Sequence, residues 1–211
     1  MGHACHHAHD DHDHHHASPG NSPGYRRVLW VALLLNAAMA VVELGAGWRA
    51  GSLALWADSA DFVADAANYA ISLAVLTSSL ALRARVAWFK GAAMGLIGAA
   101  VLAKAAWAAW HGAPPQAFTM GVVGVLALAA NVIVALLLYA WREGDANMRA
   151  VWLCSRNDAL GNIAVVAAAG LVAWTGTIWP DLVVAAVMAV LSLSAARVVM
   201  RQAREESRRA A

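Results

Sequence analysis

Six long apolar stretches alternate with short polar segments along most of this chain of 211 residues. A helix rises about 1.5 Å per residue, so each stretch can cross a hydrocarbon core of about 30 Å. We therefore predict an all-α membrane protein with six transmembrane helices. The predicted helices lie near residues 28–47, 53–81, 88–110, 118–141, 148–174 and 180–200. An even number of spans places both termini on the same side of the membrane.

The composition fits a membrane domain and argues against a soluble one. Hydrophobic residues make up 61% of the chain, charged residues only 13%, and the mean hydropathy is +0.57. Values of this kind are typical of small proteins with several spans. We assign residues 25–211 to one six-helix transmembrane domain. We expect no cleaved signal peptide, because the first 24 residues contain no apolar segment.

The basic residues predict the orientation of the chain. Most of the 15 Lys and Arg residues lie before the first helix, after the last helix, or in the second and fourth loops, where Lys90 is also placed. The opposite side keeps only Arg49, and Lys104 and Arg156 fall inside predicted spans. Because cytoplasmic loops are enriched in basic residues, we predict cytoplasmic termini and a location in the inner (plasma) membrane.

Residues 1–24 form a polar tail that is rich in His and Asp and ends in Gly, Pro and Ser. Such a segment cannot bury enough apolar surface to fold alone, so we expect it to be disordered. Its imidazole, carboxylate and thiol groups suit zinc, nickel, cobalt or copper, which makes it a candidate metal-gathering segment. The alternative is an expression tag or an incidental low-complexity run. The candidate ligands are His3, Cys5, His6, His7, His9, Asp10, Asp11, His12, Asp13, His14, His15 and His16.

Two pairs of polar residues interrupt the apolar helices at the same spacing. Asp61 and Asp65 lie four residues apart in the second helix, and Cys154 and Asp158 lie four apart in the fifth. This spacing puts both members of each pair on one helix face. An acidic side chain inside a bilayer costs roughly 2.5–3.5 kcal/mol, so such residues usually serve an ion or proton pathway. Both pairs are predicted about 10–18 Å into the membrane, on helices that run in opposite directions.

The spans contain more acids than bases. The ionisable residues in or at the spans are Glu43, Asp58, Asp61, Asp65, Lys104, Arg156 and Asp158. A salt bridge to Lys104 or Arg156 could account for a single acid, but two bases cannot neutralise every carboxylate. A divalent cation would remove the imbalance, because one ion neutralises two carboxylates.

The ligand types indicate which ion the site accepts. Three carboxylates, from Asp61, Asp65 and Asp158, and the thiolate of Cys154 can surround one ion tetrahedrally. This set suits Zn²⁺ foremost, and Cd²⁺ or Co²⁺, better than Mg²⁺, which prefers oxygen ligands and keeps its waters. Crowded carboxylates in a low dielectric take up protons when the metal leaves, so the site holds metal or protons in turn. The sequence thus predicts metal/proton antiport, with no prosthetic group and no nucleic-acid partner.

The same residues carry a family resemblance. The segments GSLALWADSADFVADA (51–66) and CSRNDALGN (154–162) resemble the helix-2 and helix-5 signatures of the cation diffusion facilitators, which are six-span exporters of zinc and related ions. Glu43, Asn131 and the segment PDLVVA (180–185) also fit, and the resemblance covers residues 26–201. It implies that Asp61, Asp65, Cys154 and Asp158 occupy the metal-ligand positions of that family.

Three features depart from the family pattern. Cys154 stands where His or Asp is common, which leaves the metal preference open, and Arg156 is an unusual cation beside the site. Arg156 either faces Asp58 or Asp158 and tunes proton release, or it snorkels away. The chain ends about ten residues after the sixth helix, so we expect the usual C-terminal cytoplasmic domain to be absent. Dimerisation, if it occurs, would then use the membrane helices.

Other functions remain open at this stage. The protein could be a membrane-anchored metal sensor, or a channel, because acidic rings also select cations. An enzyme has little support, because no nucleophile–base pair or phosphate-binding glycine loop is visible. Among single residues, Asp58 could cap a helix or line a vestibule, Asn162 could bridge helices, and His111 is expected in solvent. Cys154 alone would be a small buried hydrophobe.

Overall fold

The computed structural model describes residues 23–74, 80–141 and 146–209. These residues form six α-helices that are joined by short connections, with no strand in the described part of the chain, as the sequence predicted. The helices are α1 (Pro23–Ala50), α2 (Leu53–Ala74), α3 (Leu80–His111), α4 (Ala117–Tyr139), α5 (Ala146–Thr175) and α6 (Trp179–Arg209). Residues 1–22 of the predicted tail lie outside the described residues. The last two tail residues, Pro23 and Gly24, belong to α1, where proline suits the first helical turn.

Several predicted helix bounds were wrong. The second helix was extended to residue 81, but Leu80 and Ala81 already belong to α3, which begins well before the predicted start at 88. The sixth helix was ended at residue 200, whereas α6 continues to Arg209. Hydropathy marks only the part of a helix that lies in lipid, and Ala, Arg, Gln and Glu continue a helix readily in water. In α6 the exposed pair Arg201 and Glu205, four residues apart, adds a salt bridge with an N–O distance of 3.3 Å.

The protein is a multi-pass membrane protein. Within the described residues, five helices are long and apolar enough to cross a membrane. The remaining helix, α2, has 22 residues and therefore spans about 33 Å, but it carries Asp58, Asp61 and Asp65. Large apolar side chains such as Leu34, Leu96 and Leu191 are exposed on the outside of the bundle, as lipid contact requires.

Helix α2 lies at the centre of the bundle. It contacts each of the other five helices, whereas the most extensive pairwise packing joins α3 to α6, α4 to α5 and α1 to α2. Small residues permit the close approach of α3 and α6: a side chain at Gly91 or Gly98 would collide with the backbone of α6 at Ala196 or Ala189. The helix that carries Asp58, Asp61 and Asp65 is thus the one that contacts every other helix.

The connections α1–α2, α3–α4 and α5–α6 meet at one end of the bundle, which we call the loop end. The backbone N–H of Gln116 donates to the carbonyl of Ala50 at 2.9 Å, which ties the second of these connections to the first. Gly51 has a φ of 71°, a conformation that favours glycine, and it lets α1 turn directly into α2. The start of α1 and the end of α6 lie at the opposite end, which we call the terminal end.

Candidate metal centre

Three aspartates follow one another at intervals of one turn on α2 and contact different neighbouring helices. Asp58 and Asp65 are buried and Asp61 is half-buried. Asp61 accepts a hydrogen bond of 3.1 Å from the Ser192 hydroxyl of α6. A helix with three acids along its length is stable in the bundle only because each carboxylate finds a polar or charged neighbour.

The last of these acids along α2, Asp65, meets Asp158 of α5. The two side chains lie within hydrogen-bonding range, and the Asp158 carboxyl also interacts electrostatically with those of Asp61 and Asp58. The Tyr69 hydroxyl, one turn along α2, donates to Asp65 Oδ2 at 3.2 Å and lies 2.7 Å from the Ser155 hydroxyl of α5. The structure therefore brings Asp61, Asp65 and Asp158 into one acidic region between α2 and α5.

The fourth predicted ligand, Cys154, lies on α5 one turn before Asp158. Its side chain is outside the described residues. Among the side chains that the structure describes, no three Asp, Glu, His or Cys residues are close enough together to hold one metal ion. The described acids form an open cluster, in which Asp61 turns toward α6 while Asp65 turns toward α5.

A chain of hydrogen bonds links Asp58 to two buried asparagines. The Asn162 amide of α5 donates to Asp58 Oδ2 at 2.5 Å, and the Asn131 amide of α4 donates to Asn162 Oδ1 at 2.8 Å. Asn162 thus bridges helices, as its sequence position suggested. Asp58 lines the acidic region and does not cap its helix, because the N-terminus of α2 is capped by Asp181, as described below.

Glu43 of α1 extends the acidic region to a fifth carboxylate. Its side chain is fully buried, at 0% exposure, beside the Asp58 carboxyl, and it also interacts with the charge of Asp61. Neither of its carboxylate oxygens has a hydrogen-bond partner among the described residues. An unpaired charge in this position is costly, so a cation or a proton must accompany it.

Neither of the two bases predicted inside the spans neutralises these acids. The Lys104 ammonium lies 4.2 Å from the ring centroid of Trp56 and 5.3 Å from that of Trp48, near the loop end. Arg156 is exposed, lies over the Trp152 ring at 5.3 Å and donates to Asn157 at 3.3 Å. Of the two possibilities for Arg156, the structure agrees with a side chain that snorkels away from the acids.

One base does face the site, although its predicted position in a loop did not indicate this. Lys90 was assigned to a loop, but it lies inside α3, donates a hydrogen bond to Asn68 of α2 and interacts electrostatically with Asp65. The signal was present in Trp88 and Phe89, which directly precede Lys90 and already belong to the apolar part of α3. Tyr69, Ser155 and Ser192 were also missed, although each is a polar residue on a helix that carries or contacts the acids.

A second buried polar cluster lies at the loop end. Asp181, at the start of α6, is fully buried and accepts hydrogen bonds from the Ser52 hydroxyl at 2.6 Å and from the backbone N–H groups of Leu53 and Ala54 at 2.8 and 3.1 Å. These N–H groups form the open N-terminus of α2, where a carboxylate is favoured. Asp181 therefore positions the helix that carries the three aspartates.

Comparisons with known proteins identify a matching family model and relatives that cover most of this chain. A family model described as the cation efflux transmembrane domain matches residues 29–206. The chain is 27% identical over 208 residues to a protein of Pectobacterium atrosepticum named zinc transporter ZitB, covering 92% of this chain and 64% of that protein. It is 28% identical over 184 residues to the metal cation efflux system protein CzcD of Cupriavidus metallidurans, covering 82% of this chain and 57% of CzcD.

A third relative is named for antiport. The chain is 25% identical over 198 residues to the cadmium, cobalt and zinc/H(+)-K(+) antiporter of Bacillus velezensis, covering 86% of this chain and 61% of that protein. The chain thus spans less than two thirds of the length of each of these three relatives.

Proposed function

Because this chain belongs to the cation efflux family, we propose that it exports divalent transition-metal cations through the centre of its helix bundle. The observation that carries this proposal is the meeting of Asp65 and Asp158 in the bundle interior, with Asp61, Asp58 and Glu43 nearby. Acids concentrated on the central helix of a membrane bundle create a path that attracts cations and excludes anions. A sensor has no evident need for so many buried carboxylates.

The transported ion is held by Asp61, Asp65, Cys154 and Asp158 in this proposal. The ligand set of three carboxylates and one thiolate favours zinc and admits cadmium and cobalt. The relatives' names include all three metals, which supports this range. The open arrangement of Asp61 and Asp65 fits a site that closes around the ion and opens again, because a transporter must release what it binds.

Protons are the proposed counter-ions. When the metal leaves, crowded carboxylates in a low dielectric are stabilised by proton uptake, which couples the two movements. One relative is named as a cadmium, cobalt and zinc/H(+)-K(+) antiporter, which supports proton coupling. The protein acts in this role as a transporter and not as an enzyme, and no resident cofactor is required.

The proposed orientation places the terminal end in the cytoplasm of a cell with an inner membrane. Arg26 and Arg27 at the start of α1 and the arginines of α6 lie at this end, whereas Arg49 lies at the loop end. This distribution follows the positive-inside rule. The His-rich tail would then collect metal in the cytoplasm, and any homodimer would form through the membrane helices.

The test is zinc flux into proteoliposomes that contain the full chain and a pH-sensitive dye. We expect zinc uptake with opposite proton movement, and a loss of uptake in Asp65→Asn and Asp158→Asn. Glu205→Gln is the matched control, because it removes an exposed carboxylate from α6 and should leave uptake unchanged. Zinc binding without flux would indicate a sensor, and flux that ignores the pH gradient would indicate a channel; either result would overturn the antiport proposal.

A further inference from the structure

The Glu43 carboxyl stands apart from the four proposed ligands. It is buried, no N–H or hydroxyl group of the described residues donates to it, and its polar neighbour is the Asp58 carboxyl. Its neighbour Asp58 has a partner for one oxygen, Asn162, and shares the same pocket of low polarity. Two carboxylates that are buried side by side repel each other, so a structure that retains both needs a cation beside them or a proton shared between them. Lys104 does not provide this charge, because it lies over tryptophan rings.

The pair lies on the loop-end side of the proposed metal centre. Asp58 is three residues before Asp61 on α2, which places it about 4.5 Å closer to the loop end, and about 10 Å closer than Asp65. Glu43 is seven residues before the end of α1, or about 10 Å from the loop end, at nearly the same depth as Asp58. The acids of α2 therefore continue from the metal centre toward the loop end, and Glu43 joins them at the last position.

We propose that Glu43 and Asp58 form a second cation site, which holds a partly hydrated divalent ion between the metal centre and the loop end. This inference rests on the proposed function and adds a step to it: the ion passes from Asp61 to the Glu43–Asp58 pair before release. The pair offers carboxylate oxygens without sulfur or imidazole, so water completes the coordination. Such a site binds more weakly than the metal centre and exchanges its ion faster, as a release step requires.

Manganese is the probe that separates the two sites. Mn²⁺ accepts carboxylate and water ligands and binds imidazole and thiolate weakly, so the histidines of the tail contribute little. Any binding by the aspartates of the tail is the same in all the variants compared. The full chain is placed in lipid nanodiscs and titrated with Mn²⁺. The concentration of free Mn²⁺ is measured from its electron paramagnetic resonance signal. The Asp158→Asn variant removes a ligand of the metal centre and should still bind one Mn²⁺ ion. Adding Glu43→Gln to this variant should weaken the remaining binding at least tenfold, whereas adding Glu205→Gln should not change it.

Zinc flux tests whether the Glu43–Asp58 site takes part in transport. Glu43→Gln keeps the size of the side chain, and we expect a maximal rate at least tenfold below wild type with the half-saturating zinc concentration changed less than threefold. Glu43→Asp keeps the carboxylate and should recover most of the rate. Thermal unfolding of both variants shows whether the fold is intact, and the manganese titration does not depend on transport.

Each outcome decides one of the two proposals. Unchanged manganese binding and an unchanged zinc rate in Glu43→Gln would overturn the second site and leave the export proposal intact. A lower rate with unchanged manganese binding would mean that the pair carries only protons, which also overturns the metal site. If wild type transports no zinc but Glu43-dependent manganese binding is found, the export proposal fails and the second site stands.

Discussion

Lys90 places a positive charge beside the proposed metal centre. It is half-buried in α3, bonded to Asn68 and in electrostatic contact with Asp65, and it therefore opposes the binding of a metal cation at that carboxylate. In the metal-free state the same ammonium stabilises the ionised carboxylate. If the proposed metal centre is correct, this lysine lowers its affinity for metal and favours release of the ion.

We predict that Lys90→Gln binds zinc more tightly. Removal of a repulsion of about 1 kcal/mol corresponds to roughly fivefold in affinity, and the half-saturating zinc concentration should fall by about that factor. The half-saturating concentration is measured from the zinc dependence of flux in proteoliposomes. Arg85→Gln, which removes an exposed base from the same helix, is the matched control and should have no effect. An unchanged or higher half-saturating concentration in Lys90→Gln would mean that the lysine only ties α3 to α2.

The sequence predicts the acidic residues of the site, but it does not predict their hydrogen-bond partners. Asp61, Asp65 and Asp158 are conspicuous because carboxylates are rare in apolar helices. The hydrogen bonds of Asp65 to Tyr69 and of Asp61 to Ser192 depend on how three helices cross, and the sequence contains no local signal of that crossing. Tyrosine and serine are also common in membrane helices as ordinary packing residues, so their presence alone predicts nothing.

At the scale of the helices, α2 depends on its neighbours for both position and stability. Its three aspartates interrupt a helix that is otherwise mostly apolar, and Asp181 of α6 holds its first turn through three hydrogen bonds. The pattern of apolar residues predicted the number and order of the helices, because each must cross the same hydrocarbon thickness. The apolar pattern did not predict the helix ends that lie outside the lipid. Helix α3 begins before its apolar part, and α6 continues through Arg201 to Arg209.

We predict that Asp181→Ala destabilises the protein by about 2 kcal/mol, because it leaves the Ser52 hydroxyl and two backbone N–H groups without their acceptor in a buried position. Thermal unfolding in detergent should begin at a clearly lower temperature. Asp181→Asn keeps one acceptor oxygen, so its unfolding temperature should lie between those of the alanine variant and wild type. If Asp181→Ala unfolds at the temperature of wild type, water replaces the carboxylate and the cap does not hold α2.

At the scale of the whole molecule, the two ends of the bundle differ in charge and in chemistry. The loop end holds the buried Asp181 cap and a cavity of about 800 Å³, which is lined by Trp48, Trp56, Trp107 and Lys104 among others. The terminal end carries the exposed arginines of α6. In the proposed orientation, metal would enter past this basic surface, which repels cations.

The proposed orientation, with the terminal end in the cytoplasm, can be measured with single cysteines. In a Cys5→Ser background, we predict that Ala113→Cys, in the exposed α3–α4 connection, reacts with a membrane-impermeant thiol reagent added outside intact cells. Gln202→Cys, on the exposed extension of α6, should react only after the cells are permeabilised. The parent variant, which keeps Cys154, measures background labelling. The reverse labelling pattern would place the arginines of α6 outside the cell and would contradict the proposed orientation. An exporter with that orientation would have to move metal from the loop end to the terminal end.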